Sequence, residues 1–403
     1  MNWGRAITAS AGLVILIPCL VILSGGFMPQ LPIVGRFGAL IGSDLAWIVL
    51  GALLAAVLAM AGLLLGPNLM TKGLAAASIA VLAGAAVVCV SVLGAAGGQG
   101  ATIDLSRLAG FGANSSTNGR SPQPDRTETF AKVGGERLRA EIWSARALGS
   151  GSRASDRASV VYVHGGGFSG GGLRSRPGLF RLLNDRGIAV IDVEYRLAPP
   201  PRWDQATPDV MCAMAWVAGQ ATELNLDPAR IVLMGDSAGG NLVLMAAYSP
   251  DATAMTSSCG GTVPVPAGVV AVAPAADLTA IWRDDSISAG GSRFPEAYIG
   301  GTPSAFPDRY AAASPNTLIR PGLPPTLLIQ GSIDHLVAPG LARALAIQLR
   351  AANVDCALLV IPFADHGFDG DPDGYGAQIE ETVVPAFVAA HTGGPEWPGP
   401  ACP

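Results

Sequence analysis

The sequence predicts an α/β fold, a mostly parallel sheet with helices on both faces, preceded by a helical transmembrane region. Three observations carry the prediction. First, charge is partitioned: the first hundred of the 403 residues hold only Arg5, Arg36, Asp44 and Lys72 as charged positions, so the overall 50% hydrophobic and 14% charged content averages a membrane composition with a soluble one. Second, beyond residue 125 short apolar, β-branched runs alternate with helical stretches, the pattern of parallel strands buried on both faces. Third, one such run ends in Gly235-Asp236-Ser237-Ala238-Gly239, a serine between two glycines where a strand gives way to a helix.

In chain order, Ile7 to Leu23, Leu45 to Leu65 and Leu74 to Ala96 are free of charge, and each is near the roughly 20 residues a helix needs to cross a bilayer. A buried core helix rarely stays apolar on every face for so long, so the second and third runs read as spans. The first is shorter, contains Pro18, follows Arg5 and precedes Ser24-Gly25-Gly26, features a signal peptide shares. Under both readings the later pair anchors the chain. Basic residues flanking the spans are balanced, Arg5 and Lys72 against Arg36 and Arg107. Three spans from an inside N-terminus, or a cleaved signal peptide and a two-helix hairpin, leave the C-terminal domain outside.

The expected organisation is a transmembrane region over residues 1–100, with spans 7–23, 45–65 and 74–96, and a linker over 101–125 rich in Gly, Ser, Asn, Pro and Gln. A catalytic domain over 126–395 and a tail over 396–403 follow. A net charge of −5 without a basic, aromatic-interleaved patch argues against nucleic acid as a partner. Cys19 and Cys89 lie in apolar runs, and Cys212, Cys259, Cys356 and Cys402 lack metal-ligand spacing. Buried or idle thiols are expected, with Cys259–Cys402 as the disulfide an oxidising compartment would allow.

Strands are expected at Leu138 to Trp143, Val160 to Val163, Ala189 to Val193, Ile231 to Met234, Ala267 to Val272, Thr326 to Ile329 and Ala357 to Ile361. Helical stretches lie at Asp209 to Leu224, Asn241 to Tyr248 and Leu341 to Ala351. Catalytic groups on such a sheet belong in the loops at the carboxyl ends of its strands. Ser237 occupies one of them, on a sharp turn whose flanking glycines avoid collision with neighbouring backbone. His164-Gly165-Gly166-Gly167 occupies another, and its glycines let backbone N–H groups approach a substrate oxygen. Asp334 follows the strand at Thr326, and His366 follows the last strand, giving the order Ser, Asp, His.

A serine hydroxyl needs an imidazole to accept its proton, and a carboxylate must fix that ring's tautomer. Of the four histidines, His164 belongs to the glycine loop and shapes the turn, His335 adjoins Asp334, and His391 lies near the tail. His366 is therefore the base. Asp365 and Asp277 compete with Asp334 as the acid, but Asp365 adjoins His366 and would have to reach across its own backbone.

On His164-Gly165-Gly166-Gly167-Phe168, Tyr195-Arg196-Leu197-Ala198-Pro199 and Gly235-Asp236-Ser237-Ala238-Gly239-Gly240-Asn241 the sequence resembles the hormone-sensitive-lipase-like branch of the α/β-hydrolase esterases, over roughly residues 126 to 392. The resemblance implies an α/β-hydrolase fold with a small cap, Ser237 as nucleophile, His366 as base and Asp334 as acid. It also implies an oxyanion hole from the N–H groups of Gly166, Gly167 and Ala238, and no metal or organic cofactor. Glu194 and Pro200 depart from the family's usual Asp and Glu around the Tyr-Arg-Leu-Ala-Pro run. The expected partner is a small-molecule or lipid ester at a membrane. The expected activity is serine carboxylic-ester hydrolysis, with envelope-glycan O-deacetylation, acyl transfer and a non-catalytic binding role as alternatives. Specificity is expected in a cap formed by the linker end and the Ala280 to Ser314 insertion, whose Trp282, Phe294, Tyr298, Phe306 and Tyr310 either line a pocket or pack the cap.

Overall fold

The computed structural model describes residues 3–31, 33–109, 121–146, 157–249, 255–284 and 291–403. The chain forms two compact units: one of residues 1–115, 331–335 and 361–380, the other of 116–330, 336–360 and 381–403.

The first unit contains α1 (Trp3–Phe27), α2 (Ile41–Leu64) and α3 (Leu69–Gly98), three helices long and apolar enough to cross a membrane. Small residues allow them to approach closely. On α2 the buried row Ile48, Ala52, Ala55, Ala59 and Gly62 faces its neighbours, while Trp47, Leu50, Leu54 and Val57 point outward. A 3₁₀ turn, Gly35–Leu40, leads into α2, and a side chain on Gly25 would strike the backbone of Val34 and Gly38. Asn68 and Thr71 form a reciprocal cap that starts α3, with Thr71 N–H donating to Asn68 Oδ1 at 2.8 Å.

Residues 110–120 of the expected linker lie outside the described residues. Its first part contains a short helix, α4 (Leu105–Leu108), capped by Asp104. The Asp104 N–H donates to Gln378 Oε1 at 2.6 Å, and Arg107 pairs with Asp373 at 3.3 Å.

Among the described residues, an eight-stranded sheet comprises β1 (Arg126–Val133), β2 (Glu136–Trp143), β3 (Ser159–Val163), β4 (Ala189–Val193), β5 (Ile231–Asp236), β6 (Gly268–Val272), β7 (Thr326–Gly331) and β8 (Cys356–Ile361). The strand order is β1-β2-β4-β3-β5-β6-β7-β8. The first hairpin and its join to β4 are antiparallel, while β4, β3, β5, β6 and β7 run parallel. Every residue of β3, β4 and β6 is buried, as expected of parallel strands covered on both faces. The first strand was not anticipated: Arg126-Thr127-Glu128-Thr129 is polar and mostly exposed, because an edge strand needs little apolar surface.

The covering helices are α5 (Pro177–Asp185), α6 (Ala206–Gly219), α7 (Ala221–Leu224), α8 (Ala238–Tyr248), α9 (Leu278–Arg283), α10 (Arg293–Ile299), α11 (Pro307–Ala312), α12 (Pro339–Ala351) and α13 (Tyr375–His391). The single helical stretch expected to Leu224 is interrupted at Gln220.

The cysteine expectation needs correction. Cys259 and Cys402 do not pair with each other: Cys212 is bonded to Cys259 and Cys356 to Cys402, with Cα separations of 5.5 and 5.6 Å. Local packing decides the partners. Ser258 N–H donates to Pro208 O, bringing that loop against α6, and Cys402 N–H donates to Cys356 O, bringing the last residues back to β8. Cys19 and Cys89 remain thiols.

Candidate active site

In β5 the apolar run ends at Asp236 and the chain turns through Ser237 at φ 53° and ψ −115° before α8 begins. A non-glycine residue with positive φ is strained, and here the strain comes with close backbone approach. A Cβ on Gly235 would lie 2.5 Å from Gly239 O and 2.8 Å from Val163 O, and one on Gly239 would lie 2.7 Å from His164 O. No side chain fits at either position. The turn is fixed by Ser237 N–H donating to Val272 O at 2.8 Å and by Asn241, whose amide donates to Ala275 O and Ala313 O. Ala238 opens α8, so its N–H is among the helix-terminal donors left without a partner in the helix.

The glycine loop packs on this turn. A Cβ at Gly165 would collide with the Asp236 side chain, whose other carboxylate oxygen accepts from Tyr162 OH. Gly166 and Gly167 both have positive φ, 117° and 61°, and among the described residues neither N–H has a backbone acceptor. His164 is buried, its ring stacked on Tyr195 and its Nδ1 2.7 Å from Gly165 O. Burial pushes its imidazole below the ordinary histidine range, with the bond to Gly165 O opposing. Neutral, with Nδ1–H donating to that carbonyl, the ring braces the loop together with Tyr195 OH, which donates to His164 O. Arg196 grips buried Asp209 through its Nε and Nη2, both at 2.8 Å, and Glu194 instead accepts from Arg139 N–H at 2.9 Å.

The cap aromatics divide. Tyr298 and Tyr310 are buried, Tyr298 stacked on Phe168 with ring centroids 3.9 Å apart, and Trp282 Nε1–H donates to Glu296 at 2.7 Å. Phe294 is different: a side chain on Gly167 would strike its ring, so it stands over the glycine loop. Residues 285–290 of the expected cap lie outside the described residues.

In the first unit, two loops meet. His366 Nδ1 lies 2.8 Å from Asp334 Oδ2, and the Asp334 side chain is wholly buried. Asp365 does not face the His366 ring; it accepts from the backbone N–H of His366 at 2.7 Å and of His335 at 2.8 Å, and its other oxygen lies 2.7 Å from His335 Nδ1. Asp277 is used elsewhere, capping α9 and accepting from Asn316. The loops are further joined by Ser332 N–H to Ile361 O, Ile333 N–H to Ala364 O and Phe363 N–H to Ser332 Oγ. His391 lies at the end of α13 against Phe387, and burial lowers its pKa. Sequence reasoning overlooked the His335–Asp365 pair, although both residues adjoin the candidate acid and base; a titratable group beside a candidate acid or base was the available signal.

A family model described as BD-FAE matches residues 150–349. The chain is 31% identical over 222 residues to an ethyl acetate hydrolase of Pseudomonas putida, covering 52% of this chain and 66% of that protein. It is 28% identical over 245 residues to the esterase LipQ of Mycobacterium tuberculosis, covering 59% and 55%. The chain thus spans about half to two-thirds of the length of these relatives. The apo form of Thermogutta terrifontis esterase 2 is similar in fold, with a TM-score of 0.54 at 24% identity over 69% of this chain and 98% of that one.

Proposed function

We propose that this chain, a hormone-sensitive-lipase-like α/β-hydrolase esterase with an N-terminal set of apolar helices, hydrolyses carboxylic esters through an acyl-enzyme on Ser237. The observation that carries the reading is the His366–Asp334 pair, a ring nitrogen held at 2.8 Å by a fully buried carboxylate on the loops where the acid and base are expected. Asp334 holds the ring with its proton on Nδ1, so that Nε2 is the nitrogen that accepts the serine proton. Ser237 Oγ attacks the ester carbonyl and His366 takes its proton. The resulting oxyanion accepts from the N–H groups of Gly166, Gly167 and Ala238, with the N-terminus of α8 adding favourable potential. Collapse of the tetrahedral adduct breaks the bond to the alkoxy oxygen, which leaves with the proton from His366. Water then attacks the acyl-serine, giving its proton to His366, and the carboxylic acid departs as Ser237 is restored.

The three apolar helices support anchoring in a membrane, and two disulfides in the sheet-bearing unit support an oxidising, extracytoplasmic location for it. The substrate is an ester of short to medium acyl length, a reading supported by the Phe294 ring packed against Gly167 beside the oxyanion donors. Each methylene that fits adds about 0.8 kcal/mol of transfer free energy, and the first that does not fit adds strain. Measured on aryl esters with detergent-solubilised full-length protein, kcat/KM should rise from acetate to a maximum between butyrate and octanoate, then fall. A rise continuing to palmitate would reject this substrate class in favour of long-chain lipids. Activity confined to acetyl esters would favour envelope-glycan deacetylation, and acyl transfer to added alcohols outrunning hydrolysis would favour an acyltransferase.

A further inference from the structure

We propose that His335 and Asp365 are positioning residues that fasten the acid and base loops to each other and to the chain leaving the first apolar helix, so that the helices hold the acid–base pair in working geometry. The inference rests on the reading of Asp334 and His366 as acid and base. Asp365 is the joint between the loops: it accepts from the backbone of the residue carrying the base and from both the backbone and the ring of the residue after the acid. The His335 ring continues beyond it. Its Nε2 lies 2.9 Å from the carbonyl oxygen of Pro29, two residues past the end of α1. The ring thus bridges the Asp365 carboxylate and the Pro29 carbonyl, each within hydrogen-bond distance of one of its two nitrogens. The ring, nearly buried, faces the equally enclosed Asp365 carboxylate across that 2.7 Å contact.

A second contact reinforces the first. Phe27, the last residue of α1, meets Phe363 edge to face with ring centroids 5.1 Å apart, and Phe363 lies three residues before His366. One tie therefore runs from the α1 exit to the acid loop and one to the base loop. The Pro29 carbonyl is itself set by close packing: a Cβ on Gly35 would collide with that oxygen and lie 3.2 Å from His335 Nε2. Gly35 thus offers a way to disturb the tie from the helical side, leaving every residue of the two catalytic loops unchanged.

The test uses full-length protein in detergent, with functional sites counted by fluorophosphonate labelling so that misfolded molecules do not enter the rate. His335→Ala and Gly35→Ala should each lower kcat per labelled site by about 10–100-fold, the scale of small misplacements of catalytic groups, while KM for an aryl butyrate stays within about twofold. His335→Gln, whose amide N–H can still reach Pro29 O, should recover part of the loss, and His335→Asn, which reaches only Asp365, should recover less. Wild-type kcat per labelled site in His335→Ala or Gly35→Ala overturns the proposal, as does a loss expressed only in the number of labelled sites. Should Gly35→Ala yield no labelled protein, Phe27→Leu takes its place with the same two outcomes. Hydrolysis retained by Ser237→Ala would instead mark the failure of the serine mechanism, separately from these results.

Discussion

Replacing Asp334 by Asn changes one atom of the carboxylate and little of the volume, so its effect isolates charge and tautomer. The native Oδ2 lies 2.8 Å from His366 Nδ1 in a fully buried setting, where solvent screens the charge poorly. An amide with its NH₂ towards the ring forces the ring proton onto Nε2, the nitrogen that must accept from Ser237. With its oxygen towards the ring it keeps the tautomer but no longer offsets the positive charge of the imidazolium. The kcat should fall on the order of 10⁴-fold, which at about 1.4 kcal/mol per decade is about 5.5 kcal/mol of barrier. Asp365→Asn disturbs only the joint between the loops, so its loss should stay within about 100-fold. The assay is steady-state hydrolysis of p-nitrophenyl butyrate, normalised to labelled serine. A crippling Asp365→Asn beside a mild Asp334→Asn would refute the assignment of the acid.

The buried, neutral His164 should couple folding to pH. Its pKa is lowered in the folded chain, so the stability it confers is present above the unfolded value near 6.5 and diminishes as pH falls towards the folded value; the stability difference between wild type and His164→Asn should accordingly shrink from pH 7.5 to pH 5 in thermal unfolding, and a constant difference would contradict it. Removing either disulfide, each closing a loop of sequence separation 47 or 46, should cost about 4 kcal/mol by the loop-entropy relation, read from urea unfolding. Peptide mapping of protein alkylated in intact cells should show both bonds formed, whereas fully reduced cysteines would argue against the outward placement.

Much of the architecture is written locally. The three helices and the inner strands follow from uninterrupted apolar runs, and the serine turn follows from two glycines that the backbone of Val163, His164 and Gly239 leaves no room to replace. What was not legible depends on contacts distant in sequence. The polar edge strand β1 takes its conformation from pairing with β2, and the disulfide partners were set by where the loop after α8 and the chain end return. The sequence favours Asp334 over Asp365 by its place after the Thr326 strand, by the family resemblance and by the adjacency of Asp365 to His366. In the fold the adjacent carboxylate turns to the backbone and to His335, a partner with which it is joined across 30 positions. Pro29 could not be connected with His335 from sequence, since 306 positions separate them.

Hydrolysis through an acyl-enzyme requires a covalent intermediate on Ser237. Full-length protein mixed with p-nitrophenyl butyrate, quenched in acid within the pre-steady state and digested, should yield the peptide containing Ser237 carrying one butyryl group, with a matching burst of nitrophenol and no such adduct in Ser237→Ala. The butyryl group on another residue, or rapid turnover with neither burst nor adduct in wild type and undiminished hydrolysis by Ser237→Ala, would contradict it.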